Sequence, residues 1–430
     1  MDRRRFIRRT VGGAVAIGLG TALPRAAYGR VFGANARLRI GLIGCGSRGN
    51  FLIEQALRVA TTENVEIAAL CDVWSVNLAR TQASLARRQP GLAPRTFRRH
   101  AELLAMPDLD AVIIASPDFA HTPQLIDATK AGKDVYVEKP MATRLDHANE
   151  AVRLVHERRN VVQVGVQRRS DPRHRAGAVL VQSGILGTVS EVDAAWHDAA
   201  PRWARDHADV READVDWEQY LMYLPREPFR AERFRRWHLY KDFTLGTPAL
   251  LGAHLIDVGA WFMDDPLPAA AVALGGVYVW KDGREHADTL DCILEYPKGF
   301  ILNYSTRLGN AAPRPEVVFH GTRGTFDTQS WTARGEGGGR DALEEPVTVP
   351  AVAAPMQAAS ASGGQPMNDP RLAGDEHMLD WLRAVRTRTA PTAPVDVGYQ
   401  QTVASIMCFE ALESGRRQRF DAATRTMRPG

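Results

Sequence analysis

Gly44-Cys45-Gly46-Ser47-Arg48-Gly49 sets three glycines within six residues, directly after the apolar run Leu38–Ile43 and at the head of a helical pattern. That arrangement suits chemistry in which backbone N–H groups hold an anion. The first glycine allows a tight turn, the second lets backbone approach a pyrophosphate, and the third lets helix and strand pack closely. The diphosphate then rests on the positive end of the helix. Asp72 ends the next apolar run, 23 residues beyond Gly49. An acid there accepts hydrogen bonds from a ribose diol and repels a 2′-phosphate, which favours NAD over NADP. Ser116-Pro117 and Glu138-Lys139-Pro140 end two further apolar runs. In an open parallel sheet, ligands bind at the carboxyl ends of the strands. The expected cofactor site therefore comprises Gly44, Gly46, Ser47, Arg48, Gly49, Asp72, Ser116, Pro117, Glu138 and Lys139, with His121 capping the helix after Ser116-Pro117.

These groups need a scaffold that alternates strands and helices. Strands are read at Leu38–Ile43, Val65–Cys71, Ala111–Ala115, Val135–Val137 and Val161–Val164, with helical periods between them. That alternation predicts a doubly wound parallel sheet, a Rossmann domain over residues 37–165. Beyond about residue 185 the strand-like segments run in longer series, from Val189–Trp196 through Ala271–Trp280, Asp288–Tyr296, Phe300–Thr306 and Glu316–His320. Tyr296-Pro297-Lys298-Gly299 reads as a hairpin turn. Residues 166–420 are therefore expected to form an α+β domain with a large, mostly antiparallel sheet, serving substrate and oligomerisation. Residues 334–369, rich in Gly, Ala, Ser and Pro, read as a surface loop. Helical patterns return at Glu376–Thr387 and Gln400–Ser414.

The Glu138-Lys139-Pro140 element after a Rossmann strand, with Ala131-Gly132-Lys133 upstream, closely resembles the Gfo/Idh/MocA oxidoreductase family. Val162-Gln163-Val164-Gly165-Val166-Gln167-Arg168-Arg169 and Gly252-Ala253-His254-Leu255-Ile256-Asp257 extend the likeness. Asp214-Val215-Asp216-Trp217 and Arg233-Phe234 look like its exported branch. The resemblance covers nearly everything from 37 to 420. It implies hydride transfer from a sugar or cyclitol carbinol to a nicotinamide. Lys139 would hydrogen-bond the reacting hydroxyl, and burial can lower a lysine's pKa into the useful range. His254 would be the general acid/base, with Asp257, one helical turn on, orienting it or touching substrate hydroxyls. Gln167, Arg169 and His197 are substrate candidates. One departure stands out: the family pattern places an Asp four residues before this His, and here that residue is Leu250. His197 and Asp198 are the candidates to replace it.

The formal charge of +4 is unevenly distributed. Residues 1–30 hold seven arginines and one acid, so residues 31–430 carry −2, the difference between +4 for the chain and +6 for the segment. The body lacks an electrostatic footprint for nucleic acid. Within the basic segment, Arg3-Arg4-Arg5-Phe6-Ile7 precedes an apolar run from Val11 to Leu23, too short for a stable membrane span. It resembles a twin-arginine export signal, which implies the twin-arginine machinery as a partner and a periplasmic or otherwise exported location. No stable span is expected in the mature form. Four cysteines lie within apolar patterns or the glycine motif and read as buried free thiols, not a disulfide framework. Histidines and acids show no spacing that commits to a metal.

The leading expectation is an exported NAD-dependent oxidoreductase of a sugar, polyol or cyclitol, a homo-oligomer that holds its cofactor tightly because free NAD is scarce outside the cytoplasm. A redox-neutral glycoside hydrolase or lyase is the alternative, with Tyr223, Tyr240 and His254 as its acid/base candidates. A non-catalytic binder of sugar or nucleotide is the third reading, supported by Leu250 alone.

Overall fold

The computed structural model describes residues 37–350 and 370–430. The expected export segment therefore lies outside the described residues.

Six strands form the first sheet: β1 (Leu38–Ile43), β2 (Val65–Cys71), β3 (Arg95–Phe97), β4 (Ala111–Ile114), β5 (Asp134–Val137) and β6 (Val162–Val164). Their order is β3-β2-β1-β4-β5-β6, and every pairing is parallel. Strands β1, β2, β4, β5 and β6 are buried along almost their whole length, so they read as continuous aliphatic runs. The edge strand β3, Arg95-Thr96-Phe97, has no such run and went unread in the sequence. The chain reverses its winding between β1 and β4, so the loops after those strands splay apart into a crevice.

Ten strands form the second sheet: β7 (Val189–His197), β8 (Ala270–Gly276), β9 (Thr289–Tyr296), β10 (Phe300–Arg307), β11 (Val317–Gly321), β12 (Gly324–Asp327), β13 (Thr332–Arg334), β14 (Val347–Thr348), β15 (Gln418–Asp421) and β16 (Thr426–Pro429). All neighbours are antiparallel except β7 and β10. The β9–β10 hairpin turns at Tyr296–Gly299, with Gly299 at φ +90°. Strand β8 stops short of Trp280 because the backbone N–H groups of Tyr278, Val279 and Trp280 bond to the Asp288 carboxylate instead of a neighbouring strand. Helix Ala253–Phe262 packs beneath this sheet; a Cβ on Gly259 would come within 2.5 Å of Leu302.

Two features depart from the linear reading. Helix Pro370–Thr387 leaves the second domain and covers the first sheet, where Met378, Trp381, Leu382 and Val385 pack with Leu38, Ile40 and Leu42. Trp381 meets Tyr136 edge-on at 5.7 Å. The stretch read as a loop also contributes β14, which pairs with β13; residues 351–369 lie outside the described residues.

Candidate active site

The glycine turn shows what each glycine does. Gly44 adopts φ +95°, and a Cβ there would fall 2.6 Å from the Ala115 backbone. A Cβ on Gly49 would sit 1.9 Å from the Gly44 carbonyl oxygen, so only glycine lets helix Ser47–Arg58 start against β1. Around Gly46 there is nothing within 4 Å. That helix has no side-chain N-cap and no acid in its first turn, so its first N–H groups face the cleft unpaired. This is the cradle a diphosphate requires, and the residues present fit an NAD diphosphate.

Asp72 follows β2 and accepts hydrogen bonds from the backbone N–H groups of Cys45 and Trp74, both at 2.7 Å. Burial pushes its carboxyl up to about 6, against the opposing pull of those bonds. The loop after β4 carries Ser116, whose hydroxyl donates to Gln124 at 2.7 Å. His121 does not cap the following helix. It lies inside Asp118–Lys130, and its ring bridges the Pro140 and Ser116 carbonyls at 2.8 Å each, clamping together the loops after β4 and β5. Glu138 takes the Arg48 guanidinium at 2.7 Å. Its carboxylate lies against Gly165, where a Cβ would approach within 2.9 Å. Arg48 thus serves the cradle's rim by pairing with Glu138.

Lys139 and His254 meet on the far side of the same cleft. Pro248–Gly252 forms a single π-helical turn before helix Ala253–Phe262. The wide turn leaves carbonyls without helical partners, and Lys139 Nζ donates to those of Leu250 (2.9 Å) and Ala249 (3.4 Å). Burial holds the Lys139 ammonium below its ordinary pKa, with Asp118 and Glu138 pulling the other way. His254 carries a buried Nδ1 with no hydrogen-bond partner. Burial first, then the positive charges of Lys139, Arg168 and Arg48, hold its pKa well below the ordinary value, so the ring is neutral near pH 7. Leu250 lines the cleft where a carboxylate was expected by the family pattern.

A single cleft of about 630 Å³ joins these parts, from the glycine turn and Asp72 through Ser116 and His121 to Lys139, Gln167 and His254. Six expected residues stand elsewhere: Asp257, Arg169, His197, Asp198, Tyr223 and Tyr240. Asp257 is locked in a bidentate pair with Arg169, at 2.8–3.0 Å, and Arg169 stacks over Trp261 at 5.1 Å. Neither lines the cleft: the pair ties the segment after β6 to helix Ala253–Phe262, so Asp257 does not orient His254. His197 faces the open side of the second sheet, 3.2 Å from the Ser305 hydroxyl, because strand alternation sends its neighbour Trp196 into the cleft instead. Asp198 pairs with Arg202. Tyr223 lines a separate shallow hollow with His147 and Ile126, and Tyr240 stacks under Arg233, so of the three acid/base candidates for glycoside cleavage only His254 lines the cleft.

Residues that sequence reasoning missed come from the stretch 199–245, whose helices and 3-10 turns run to five residues or fewer and leave no period to read. His238 lines the cleft, stacked on Trp237 at 3.6 Å and parallel to Trp203 at 5.6 Å. Burial, Arg205 and Lys139 hold its pKa well below the ordinary value. The run of aromatic residues in this stretch was the available signal.

Comparison with known proteins agrees with this fold. A family model described as an oxidoreductase family, NAD-binding Rossmann fold, matches residues 38–166. Its companion, the C-terminal alpha/beta domain of the same oxidoreductase family, matches residues 220–419. An inositol 2-dehydrogenase of Saccharopolyspora erythraea is 35% identical over 152 residues, 35% of this chain and 42% of that protein. A glycosyl hydrolase family 109 protein of Shewanella amazonensis is 32% identical over 161 residues, 34% of this chain and 35% of that protein. The chain thus spans less than half the length of either relative. Among solved structures, a levoglucosan dehydrogenase with NADH superposes with a TM-score of 0.66 at 17% identity, covering 89% of this chain and 98% of that one. The aldose–aldose oxidoreductase of Caulobacter crescentus gives 0.64 at 17% identity over 90% and 100%. At that identity the likeness speaks for the fold.

Proposed function

The chain belongs to the Gfo/Idh/MocA oxidoreductase family, and from that premise we propose that it is an NAD-dependent oxidoreductase acting on a secondary hydroxyl of a sugar, polyol or cyclitol. One observation carries the reading: the phosphate cradle and the Lys139–His254 pair open into one cleft. When bound, NAD supplies the hydride acceptor, held by Gly44, Gly46, Gly49 and Asp72. Lys139, anchored by the Leu250 carbonyl, points an ammonium hydrogen at the reacting hydroxyl and stabilises oxyanion charge as it develops. His254, neutral and lining the cleft, takes the hydroxyl proton. Leu250 offers no carboxylate to stabilise an imidazolium, and the neighbouring cations oppose one, so the proton passes onward to solvent instead of resting on His254.

The test is NADH formation with inositols and aldoses as donors. Wild type should reduce NAD with at least one of them, and Lys139→Ala should lose turnover while still binding NAD. Full turnover in that variant removes Lys139 from the mechanism. A second reading, redox-neutral glycoside cleavage, is favoured by one observation: two neutral imidazoles, His238 and His254, line the cleft, so that one can take the C2 proton as a base and, once protonated, deliver it to the leaving group. It predicts aglycone release without net NADH.

We also propose export through the twin-arginine route with tightly held cofactor, supported by the arginine pair and apolar run of residues 1–30. A reporter fused to that segment should leave the cytoplasm, and stop doing so when Arg3 and Arg4 become Lys. Homo-oligomerisation is supported by the open face of the second sheet, where Val272, Leu274 and Ile293 are 42%, 81% and 41% exposed. Light scattering should give a multiple of the chain mass, and Leu274→Glu should reduce it.

A further inference from the structure

Seven basic side chains line the cleft against three carboxylates, Asp72, Asp118 and Glu138, in a body whose overall charge is slightly negative. Most of the basic groups are satisfied by protein partners. Arg48 pairs with Glu138 and Arg202 with Asp198, Arg98 donates to the Val73 and Asp214 carbonyls, and Lys139 donates to the π-turn. Among the described residues Arg80, Arg205 and Arg235 have no ion-pair partner; Arg80 lies exposed over the Trp74 ring at 5.8 Å, whereas Arg235 has a buried Nε without any acceptor. Arg235 is held in place by stacking, its guanidinium 5.4 Å from the Trp74 ring. Both side chains line the cleft, Arg205 at an exposed position and Arg235 at a half-buried one, and the Arg205 pKa is held below its ordinary value by partial desolvation and by the charge of Arg235. They line the same cleft as Lys139, His238 and His254.

Two guanidiniums lining one cleft without an ion-pair partner leave a local positive potential that an anionic ligand would neutralise. The dinucleotide's own diphosphate has its cradle at Gly46, on the N-terminus of helix Ser47–Arg58. We propose that Arg205 and Arg235 bind an anionic group on the substrate, so that the molecule presented to Lys139 and His254 is an acidic sugar or cyclitol bearing a carboxylate or phosphate. This rests on the oxidoreductase reading above and deepens it. Planar guanidiniums match both anions bidentately, and the tryptophans around them, Trp203 and Trp237, offer faces for the apolar side of a sugar ring.

The experiment is calorimetric binding to the NAD-saturated full chain, with D-glucuronate and myo-inositol monophosphate compared with glucose and myo-inositol. Charge-assisted hydrogen bonds of this kind correspond to roughly 10- to 100-fold in affinity. At least one acid should exceed its neutral counterpart by that factor, and the gap should narrow at high salt and close in Arg205→Gln and Arg235→Gln. Arg235→Lys should retain part of it. Equal affinities for acids and neutral sugars overturn the proposal. So does a gap that persists in both variants while NAD affinity falls, which would assign the pair to the dinucleotide's diphosphate. If the variants fail to fold, the salt dependence of the wild-type gap decides. Failure of the underlying reading is separately visible, because wild type would then not bind NAD.

Discussion

Gly46 and Gly49 have opposite structural surroundings, and the same substitution at each should give separable results. In Gly49→Ala the new methyl would lie 1.9 Å from the Gly44 carbonyl oxygen, a backbone atom that cannot swing aside. Helix Ser47–Arg58 must move off β1, and overpacking of that kind costs about 1–3 kcal/mol or more. In Gly46→Ala the methyl meets nothing within 4 Å, and φ of −72° suits alanine. Folding stability should therefore change by no more than about 0.5 kcal/mol. The methyl would, however, occupy the space through which a diphosphate approaches the first N–H groups of the helix. Losing one or two charge-assisted hydrogen bonds there, each about 1.5–3 kcal/mol, weakens NAD binding by roughly tenfold to several hundredfold or more. Thermal unfolding and NAD titration on the two variants are the assays. Gly49→Ala should lose both stability and affinity, and Gly46→Ala affinity alone. Wild-type NAD affinity in folded Gly46→Ala would refute the assignment of this turn to the diphosphate.

Other expectations follow from the same geometry. The Asp72 carboxyl, raised to about 6, is partly protonated in the free protein below that pH, whereas ribose hydroxyls need the carboxylate; NAD affinity should fall up to about tenfold per pH unit below 6 and flatten above it, and Asp72→Asn should remove the dependence. In the free protein the sign for stability is the reverse, the contribution of Asp72 being greatest below the ordinary value of 3.8 and lost as pH rises through about 6. Asp257→Asn breaks a buried ion pair and should cost about 3–5 kcal/mol in denaturant unfolding without moving the pH profile of turnover; a shifted profile in a stable protein would return Asp257 to the proton relay. Leu250→Asp places a carboxylate one helical turn from His254, so the acid limb of kcat/KM should move to higher pH, and an unmoved limb would mean that His254 does not carry the proton.

The fold and half of the site were legible because their signals are local. Aliphatic runs at strand spacing gave the first sheet, and the glycines, Asp72, Glu138 and Lys139 sit at fixed offsets from strand ends, where backbone geometry dictates residue type. His254 was legible through its motif. Partners across the fold were not. Asp257 looked like a neighbour of His254 because the two share a helix, but three residues of rotation turn it towards Arg169. The alternation of Val192, Ala194 and Trp196 on one face of β7 already implied that His197 points the other way, and that signal was available. Helix Pro370–Thr387 has a readable apolar face in Met378, Trp381, Leu382 and Val385, yet nothing local says that it covers β1, more than 300 residues earlier. Arg235 ends the five-residue helix Ala231–Arg235 and His238 sits in the 3-10 turn Trp237–Leu239, elements too short for a period to mark them, placed by packing around Trp74 and Phe243.

The central claim is that this chain is built around one NAD molecule. Native mass spectrometry of the purified full-length protein, before and after adding NAD, addresses it without requiring the substrate to be known. The account predicts one dinucleotide per chain in wild type and its loss in Gly46→Ala. A folded wild-type protein that shows only the bare polypeptide mass at saturating NAD would contradict it.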